Sequence, residues 1–374
     1  MSGRTTRPVR PQDVLGVPLL PPGRVTVAGN RFRELLGRIH RSLAPPPVQI
    51  LEGLFGLLEH RLLVSMCEVG IPEALTGPRS IPDLASEVGA DEARLERLLR
   101  FAATRGWVRI DRRRRVRPTR VTAFLRTDHP GGWRAWVDFA GGDEIVAAVG
   151  HLSVRADARH AFLDANGASF FDWMADHPQR RETFDRAMAA GGRMHALGLA
   201  AVLDWSDGER VCDVGGGTGD LLAALLDLVP GLAGTVFDLP GVAGRALDHP
   251  RLSAIDGDAF EQVPAGFHTY LLVNVLHDWG DDDAVRILQR VAEAAAPTAR
   301  IVVVDNDRTP VPQDDIAVSA DVLMAALTAG GKERDAAGVA ELGRQAGLRV
   351  VSTHRLPSAD SAHVLRPTPR GPAA

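Results

Sequence analysis

Apolar positions along this chain follow two different periods, and the change between them divides it. From Val48 to Leu75 apolar residues recur at helical spacing, which predicts long helices with wide apolar faces. The stretch from Ser80 to Arg100 keeps that period as two helices around a Gly-containing turn, and Trp107–Ile110 with Val116–Thr119 predicts a hairpin after it, a winged helix-turn-helix pattern. Further on, short apolar blocks take over: 210–214, 234–238, 252–255, 269–275, 299–305, 348–355 and 363–366. The block Thr269–Val275 is almost continuously apolar, as a strand buried on both faces should be. Helical segments at 220–228 and 282–295 alternate with these blocks. Such alternation predicts an α/β architecture, a parallel, doubly wound sheet whose ligand lies outside the carboxyl ends of the strands. Three parts are therefore expected: a Pro/Gly/Arg-rich arm over 1–46, a helical winged-helix domain over 47–165 and an α/β domain over 166–374. Within the arm, which is otherwise expected to be flexible or draped on the surface, Gly29–Ser42 predicts one short amphipathic helix.

Composition narrows the partners. A chain of 374 residues, 45% hydrophobic, can bury a large core in two domains. A net charge of −4 gives no general attraction to nucleic acid or to a membrane surface. Arg4, Arg7 and Arg10 precede no apolar signal core, and no apolar run reaches the ~18 residues of a membrane span, so a cytoplasmic protein is expected. Cys67 and Cys212 stand far apart, Cys212 within a predicted buried strand, and read as structural thiols; with no Cys/His cluster, no metal is expected. Arg112 to Arg115, at the tip of the predicted wing, raise DNA binding as a rival function. Glu87, Asp91, Glu92 and Glu96 argue against it, since they put acid near the would-be recognition helix, where phosphates need base.

The first predicted strand runs straight into candidate chemistry, Val211-Cys-Asp-Val-Gly-Gly-Gly-Thr-Gly219, followed by the helix from Asp220. Glycines at Gly215, Gly217 and Gly219 let the backbone approach a ligand that a Cβ would push away. Asp213 and Asp220 make poor neighbours for a pyrophosphate but suit an amino-acid moiety carrying an ammonium. The next two strands end in acids, Asp238 and Asp258. Singly each reads as a turn or cap residue, yet acids at three successive strand ends are hard to ascribe to capping alone. At the exit of the fourth strand stand His277, Asp278 and Trp279. A histidine there can serve as general base for a weakly acidic hydroxyl, although a lone histidine at a strand end is more often an ordinary turn residue.

Taken together, the loop DVGGGTG, FDLP at 237–240, GDAF at 257–260, HDW at 277–279 and GGKER at 330–334 resemble the plant-type and actinobacterial small-molecule O-methyltransferases that use S-adenosylmethionine (SAM), over roughly Pro47 to the C-terminus. The resemblance implies a seven-stranded Rossmann-like SAM-methyltransferase domain closed by an antiparallel hairpin, preceded by a helical winged-helix domain that intertwines two subunits into a homodimer. It implies that Gly215 and Gly217 cradle the cofactor, that Asp238 takes the ribose hydroxyls, and that Asp258 faces the adenine amine with Ala259 and Phe260 lining the ring. It further implies His277 as general base, oriented by Asp305 and Glu333, and Arg181 as partner of the SAM carboxylate. Plant members carry Glu where Asp305 stands and Lys where Val273 stands. The acceptor implied is a small phenolic metabolite, in a pocket for which Phe170, Phe171, Trp173, Phe184, Met188, Met194, Met324 and Leu327 are candidates, although each taken singly reads better as core. C- or N-methylation on the same scaffold stays open, as does a relative that keeps SAM as a structural element for another reaction.

Overall fold

The computed structural model describes residues 23–155, 160–309, 312, 316–358 and 360–369; residues 1–22 of the expected arm, with its three arginines, lie outside them. The chain forms two compact units. One comprises 38–146 with 177–190, and the other 147–176 with 191–374 and the N-terminal stretch to 37.

In the first unit, helix Pro46–Glu68 starts where Pro46 can occupy a first-turn position without losing a hydrogen bond. Short strands β1 (Arg79–Ser80), β2 (Val108–Ile110) and β3 (Arg115–Pro118) form a sheet in the order β1-β3-β2. Between them lie helices Ile81–Val88, capped by the Ser80 hydroxyl, and Glu92–Thr104, capped by Asp91. Two acids serve the turn arginines. Asp111 pairs with Arg115 and Arg117, and Glu96 with Arg114. Along Pro46–Glu68 the residues Ile50, Leu51, Leu54, Phe55, Leu57 and Leu58 are exposed. The preceding helix is longer than the short one expected at 29–42: it spans Gly23–Leu43 and exposes Phe32, Leu35, Leu36, Ile39 and Leu43. Apolar residues spaced by three and four give it a continuous stripe, which outweighs the breakers around it.

The second unit is built on β4 (Arg210–Val214), β5 (Ala233–Asp238), β6 (Leu252–Asp256), β7 (Thr269–Val273), β8 (Arg300–Asp305), β9 (Leu348–Arg355) and β10 (Ser361–Pro367). Their order is β6-β5-β4-β7-β8-β10-β9. Pairings from β6 to β8 are parallel, while β10 runs antiparallel between β8 and β9, as the expected closing hairpin requires. The alternation of side chains along each strand loads both faces. Cys212, Val214, Tyr270, Leu272, Ile301 and Val303 pack with helices Asp281–Ala294 and Ala336–Gln345. Val211, Leu271, Val302 and Val304 pack on the other side with helix Asp220–Leu228 and the second half of Pro178–Val202. Doubly covered strands leave polar side chains room only at their ends, which is where β4, β5 and β8 place Asp213, Asp238 and Asp305. No helix of the described residues is long and apolar enough to cross a membrane.

Candidate active site

The glycine loop after β4 is shaped by contacts that exclude side chains. Gly215 has φ +71°, and a Cβ there would come within 2.9 Å of Val275, so the loop lies directly against the exit of β7. Gly217 also has positive φ, +61°, but has nothing within 4 Å of its Cβ position, which leaves an open backbone face for a ligand. Its N–H donates to Asp238 Oδ2 at 2.8 Å, and the Leu239 N–H donates to Asp238 Oδ1 at 2.7 Å. These two donors fix the orientation of the Asp238 carboxylate at the end of β5. Asp258 accepts the Phe260 N–H at 2.8 Å, which fixes the turn carrying Ala259 and Phe260.

Asp213 is the acid that the loop leaves least satisfied. It is buried, and its Oδ2 has no hydrogen-bond partner. Burial, and then the charge of Asp238, push its carboxyl up to about 7. An orphaned buried carboxylate oxygen beside an open glycine cradle fits a ligand that brings an ammonium, as the methionine end of SAM does.

At the end of β7 the chain turns sharply. Asn274 adopts φ 55° while its N–H donates to Val304 O at 2.8 Å, and a 3₁₀ turn follows over Leu276–Asp278. The 330–334 segment holds that turn. A Cβ on Gly331 would meet the His277 carbonyl at 2.5 Å, so only glycine lets the two backbones approach. The buried Arg334 guanidinium donates to Leu276 O at 2.8 Å and Trp279 O at 2.7 Å, and pairs with Asp281 at 2.9 Å. Sequence reading gave Arg334 no role. Its motif was visible, but its carbonyl partners were not.

His277 sits in this frame with Nδ1 3.0 Å from Glu333 Oε1. Glu333 is held in turn by Asn306 Nδ2, which donates to the same oxygen at 2.8 Å, and its backbone N–H donates to Asp321 Oδ1 at 2.9 Å. Asp305 stops short. Its Oδ1 lies 4.0 Å from His277 Nδ1 and has no hydrogen-bond partner, so it acts on the ring through charge. Asp278 Oδ1 lies 3.7 Å from Nε2, on the ring nitrogen that Glu333 does not engage. Burial alone would lower the imidazole pKa, but the Glu333 hydrogen bond and the charges of Asp278, Asp305 and Glu333 reverse this and raise it to about 10. Burial raises the Asp305 and Asp278 carboxyls in turn, to about 7 and about 6, against the opposing pull of His277. His277, Asp278 and Asp305 therefore titrate together, with the imidazole as the favoured cation.

Aromatic side chains tie the cofactor segment to this turn. Trp279 stacks on Phe171 with centroids 5.7 Å apart and planes at 19°, and meets Phe260 edge-on at 4.7 Å. Phe170 and Trp173 pack on Phe162 beside them. Of the other pocket candidates, Met324 and Leu327 are buried on helix Ile316–Leu327, while Met194 packs into the core behind β4 and β8. Phe184 lies against Phe139 in the other unit, where Met188 also belongs. Arg181, in that unit too, pairs with Asp185 at 2.9 Å and lies over the Phe184 ring. Among the described residues no group of three or more His, Cys, Asp or Glu is placed to hold a metal ion.

Comparison with known proteins gives two family matches, an O-methyltransferase domain over 147–349 and an O-methyltransferase dimerisation domain over 51–128. The chain is 37% identical over 322 residues to the mitomycin biosynthesis 6-O-methyltransferase of Streptomyces lavendulae, covering 79% of this chain and 87% of that protein. It is 34% identical over 259 residues to the 8-amino-8-demethylriboflavin N,N-dimethyltransferase of Streptomyces davaonensis, covering 66% of this chain and 74% of that one. Among solved structures it is similar to an O-methyltransferase from neocarzinostatin biosynthesis in complex with SAM and 2-hydroxy-5-methyl naphthoic acid, with a TM-score of 0.68, 31% identity and 83% of this chain covered against 96% of that one.

Proposed function

Since the chain belongs to the SAM-dependent O-methyltransferase family, and its dimerisation domain supports a homodimer, we propose that it methylates a phenolic hydroxyl of a small aromatic metabolite with His277 as general base. The observation that carries this reading is the orientation of the ring. Glu333 occupies Nδ1 and leaves Nε2 as the nitrogen that meets an acceptor, at the exit of the strand that touches the glycine loop.

When bound, SAM supplies an electrophilic methyl on a sulfonium, and the protein's main tasks are to align an acceptor and remove its proton. Gly215, Gly217, Asp238, Asp258, Ala259 and Phe260 are the residues we assign to holding the nucleoside. Asp213 suits the ammonium, and Arg181 is the carboxylate partner that the family resemblance implies. His277 Nε2 takes the phenolic proton, and Glu333 by hydrogen bond and Asp305 by charge stabilise the imidazolium that results. A phenol has a pKa near ~10, and an imidazole raised to about the same value makes the transfer nearly thermoneutral from the neutral ring, the form whose share grows as pH climbs toward 10. Asp278, on the Nε2 side, adds to the same stabilisation. The stacked Phe171–Trp279 pair supports a flat acceptor over a sugar. A soluble place in the cytoplasm completes the proposal.

N-methylation is the second reading, because one of the relatives is an N,N-dimethyltransferase. The two separate in one experiment: methyl-labelled SAM is supplied with a panel of phenols and matched anilines, for wild type and His277→Ala. We expect labelled ether from phenols and a fall in turnover of ~10²–10⁴ in the variant, with cofactor affinity kept. Equal turnover by the variant on its best phenol removes His277 from the role of base, and label on anilines alone establishes the second reading.

A further inference from the structure

Three consecutive residues lead out of β8, and their side chains part. Asp305 lies 4.0 Å from the His277 ring and Asn306 donates to Glu333, but Asp307 is engaged by the closing hairpin. Its Oδ2 accepts the Ser361 hydroxyl and pairs with the Arg355 guanidinium, and its Oδ1 lies 3.7 Å from His363 Nε2. The sheet register brings these partners together, since Ser361 stands opposite Asp305 on one side and Arg355 on the other. His363 is 2% exposed and turns its Nδ1 to the Thr353 hydroxyl at 3.1 Å, so the clamp is itself held. Burial would raise the Asp307 carboxyl, but its contacts with His363 and Ser361 and the Arg355 charge hold it below its usual range. The main chain of Asp307 meets the other half of the catalytic frame. It forms an isolated parallel bridge with Arg334, and the Arg308 N–H donates to Arg334 O at 3.2 Å.

We propose that Asp307 is a positioning residue for the methyl transfer: it anchors the exit of β8 so that Asn306 holds Glu333 against His277 Nδ1. The proposal rests on the reading of His277 as general base. One residue locks the β8 exit to the hairpin through its side chain, and through its backbone to the segment that carries Glu333. Asn306 stands between the two catalytic-side contacts, and its 2.8 Å reach to Glu333 Oε1 depends on that register. The ion pair itself adds little to the fold, because the Arg355 side chain is 41% exposed. Its effect is on where a buried carboxylate sits, and a carboxylate that strays from Nδ1 loses both a hydrogen bond and charge stabilisation of the imidazolium.

The test is the titration of His277 in the full chain, followed by NMR with isotope-labelled histidine and assigned by the signal lost in His277→Ala. We expect Asn306→Ala and Asp307→Ala each to lower its midpoint by about 1 pH unit, because a loosened Glu333 stabilises the imidazolium less. Removing Asp307 also removes a charge, but that contribution does not need Asn306. The double variant separates the two, and a midpoint within about 0.3 pH units of Asn306→Ala supports positioning. Shifts that add would mean that Asp307 acts by charge alone, and an unmoved midpoint in Asp307→Ala would leave it a staple of the hairpin; either overturns the proposal. Arg355→Met, at an exposed position that the fold can spare, gives a check by sign. Loss of a cation should raise the midpoint if charge alone acts, whereas unclamping Asp307 should lower it by about 0.5 pH units, and a rise overturns the proposal. With the best phenol of the panel, Asp307→Ala should lower kcat about 10-fold and leave KM and S-adenosylhomocysteine affinity within about 3-fold; losses spread equally over all three overturn it. A wild-type midpoint near the ordinary ~6.5 would strike first at the charge cluster around the base, and the proposal would fall with it.

Discussion

Replacing Glu333 by Gln asks most directly whether the carboxylates around His277 set its basicity. The rise of the imidazole from 6.5 to about 10 corresponds to about 5 kcal/mol in favour of its protonated form, gained against burial. Three acids supply it, at 3.0, 3.7 and 4.0 Å from the ring nitrogens. Glu333 is the nearest and the only one that hydrogen-bonds the ring. Its amide isostere keeps an oxygen for Nδ1 and for Asn306, so the substitution removes charge while sparing geometry. Unit charges about 4 Å apart interact by ~4 kcal/mol at an effective dielectric of ~20, and partial neutralisation by the raised carboxyls of Asp305 and Asp278 brings this to ~2 kcal/mol.

Two consequences pull in opposite directions. The acid limb of kcat/KM should move down by about 1–2 pH units, because the imidazole sheds its proton more readily. The alkaline plateau should fall ~10- to 100-fold, because a weaker base meets the same phenol. The assay is initial rate against acceptor concentration from about pH 6 to 11, with the plateau obtained by fitting the acid limb and cofactor affinity measured in parallel. Ionisation of the phenol itself is common to both proteins, so the difference between the profiles reports the enzyme. A plateau that drops while the acid limb stays within about 0.3 pH units of wild type would refute the electrostatic argument and leave Glu333 as a packing residue. The same shift bears on stability. Since the folded-state value is raised, the contribution is complete below pH 6.5 and fades as pH climbs through about 10.

Asp213→Asn should stabilise the cofactor-free protein by an amount that grows from about pH 4 to about 7 and then stays constant, because the unfolded chain sheds this proton near 3.8 while the buried carboxyl holds it to about 7. An upper bound is ~4 kcal/mol above pH 7, read from denaturant midpoints at about pH 4.5 and 8, and a gap that does not widen between them would show that Asp213 is not strained. The same variant should bind S-adenosylhomocysteine more weakly by calorimetry. Leu54→Glu, on the exposed face of helix Pro46–Glu68, should convert the homodimer to a monomer in light scattering with its helix content kept, and a persistent dimer would place the interface elsewhere.

What could be read from the sequence, and what could not, divides along a physical line. Strands β4, β7 and β8 are buried on both faces, so their apolar blocks stand out, and Gly215 and Gly217 announce a backbone conformation that side chains resist. His277 and Glu333 stand out because each lies in a short contiguous motif, and the structure brings them to 3.0 Å across a sequence separation of 56. The helix Gly23–Leu43 is longer than expected because Gly23–Asn30 carries little apolar periodicity of its own and the prolines before it suggest an irregular arm. The residues that fix the catalytic turn escaped altogether. Arg334 acts on backbone carbonyls of Leu276 and Trp279, and a carbonyl has no residue type to betray it. Asn306 and Asp321 act on Glu333 from separate segments, and each alone resembles an ordinary loop or helix-surface polar residue. Local chemistry is written in residue types and spacings, whereas the support for that chemistry is written in which buried donors and acceptors are left to satisfy one another. Only the folded chain decides that, because the cost of leaving a polar group unpaired arises only once it is buried.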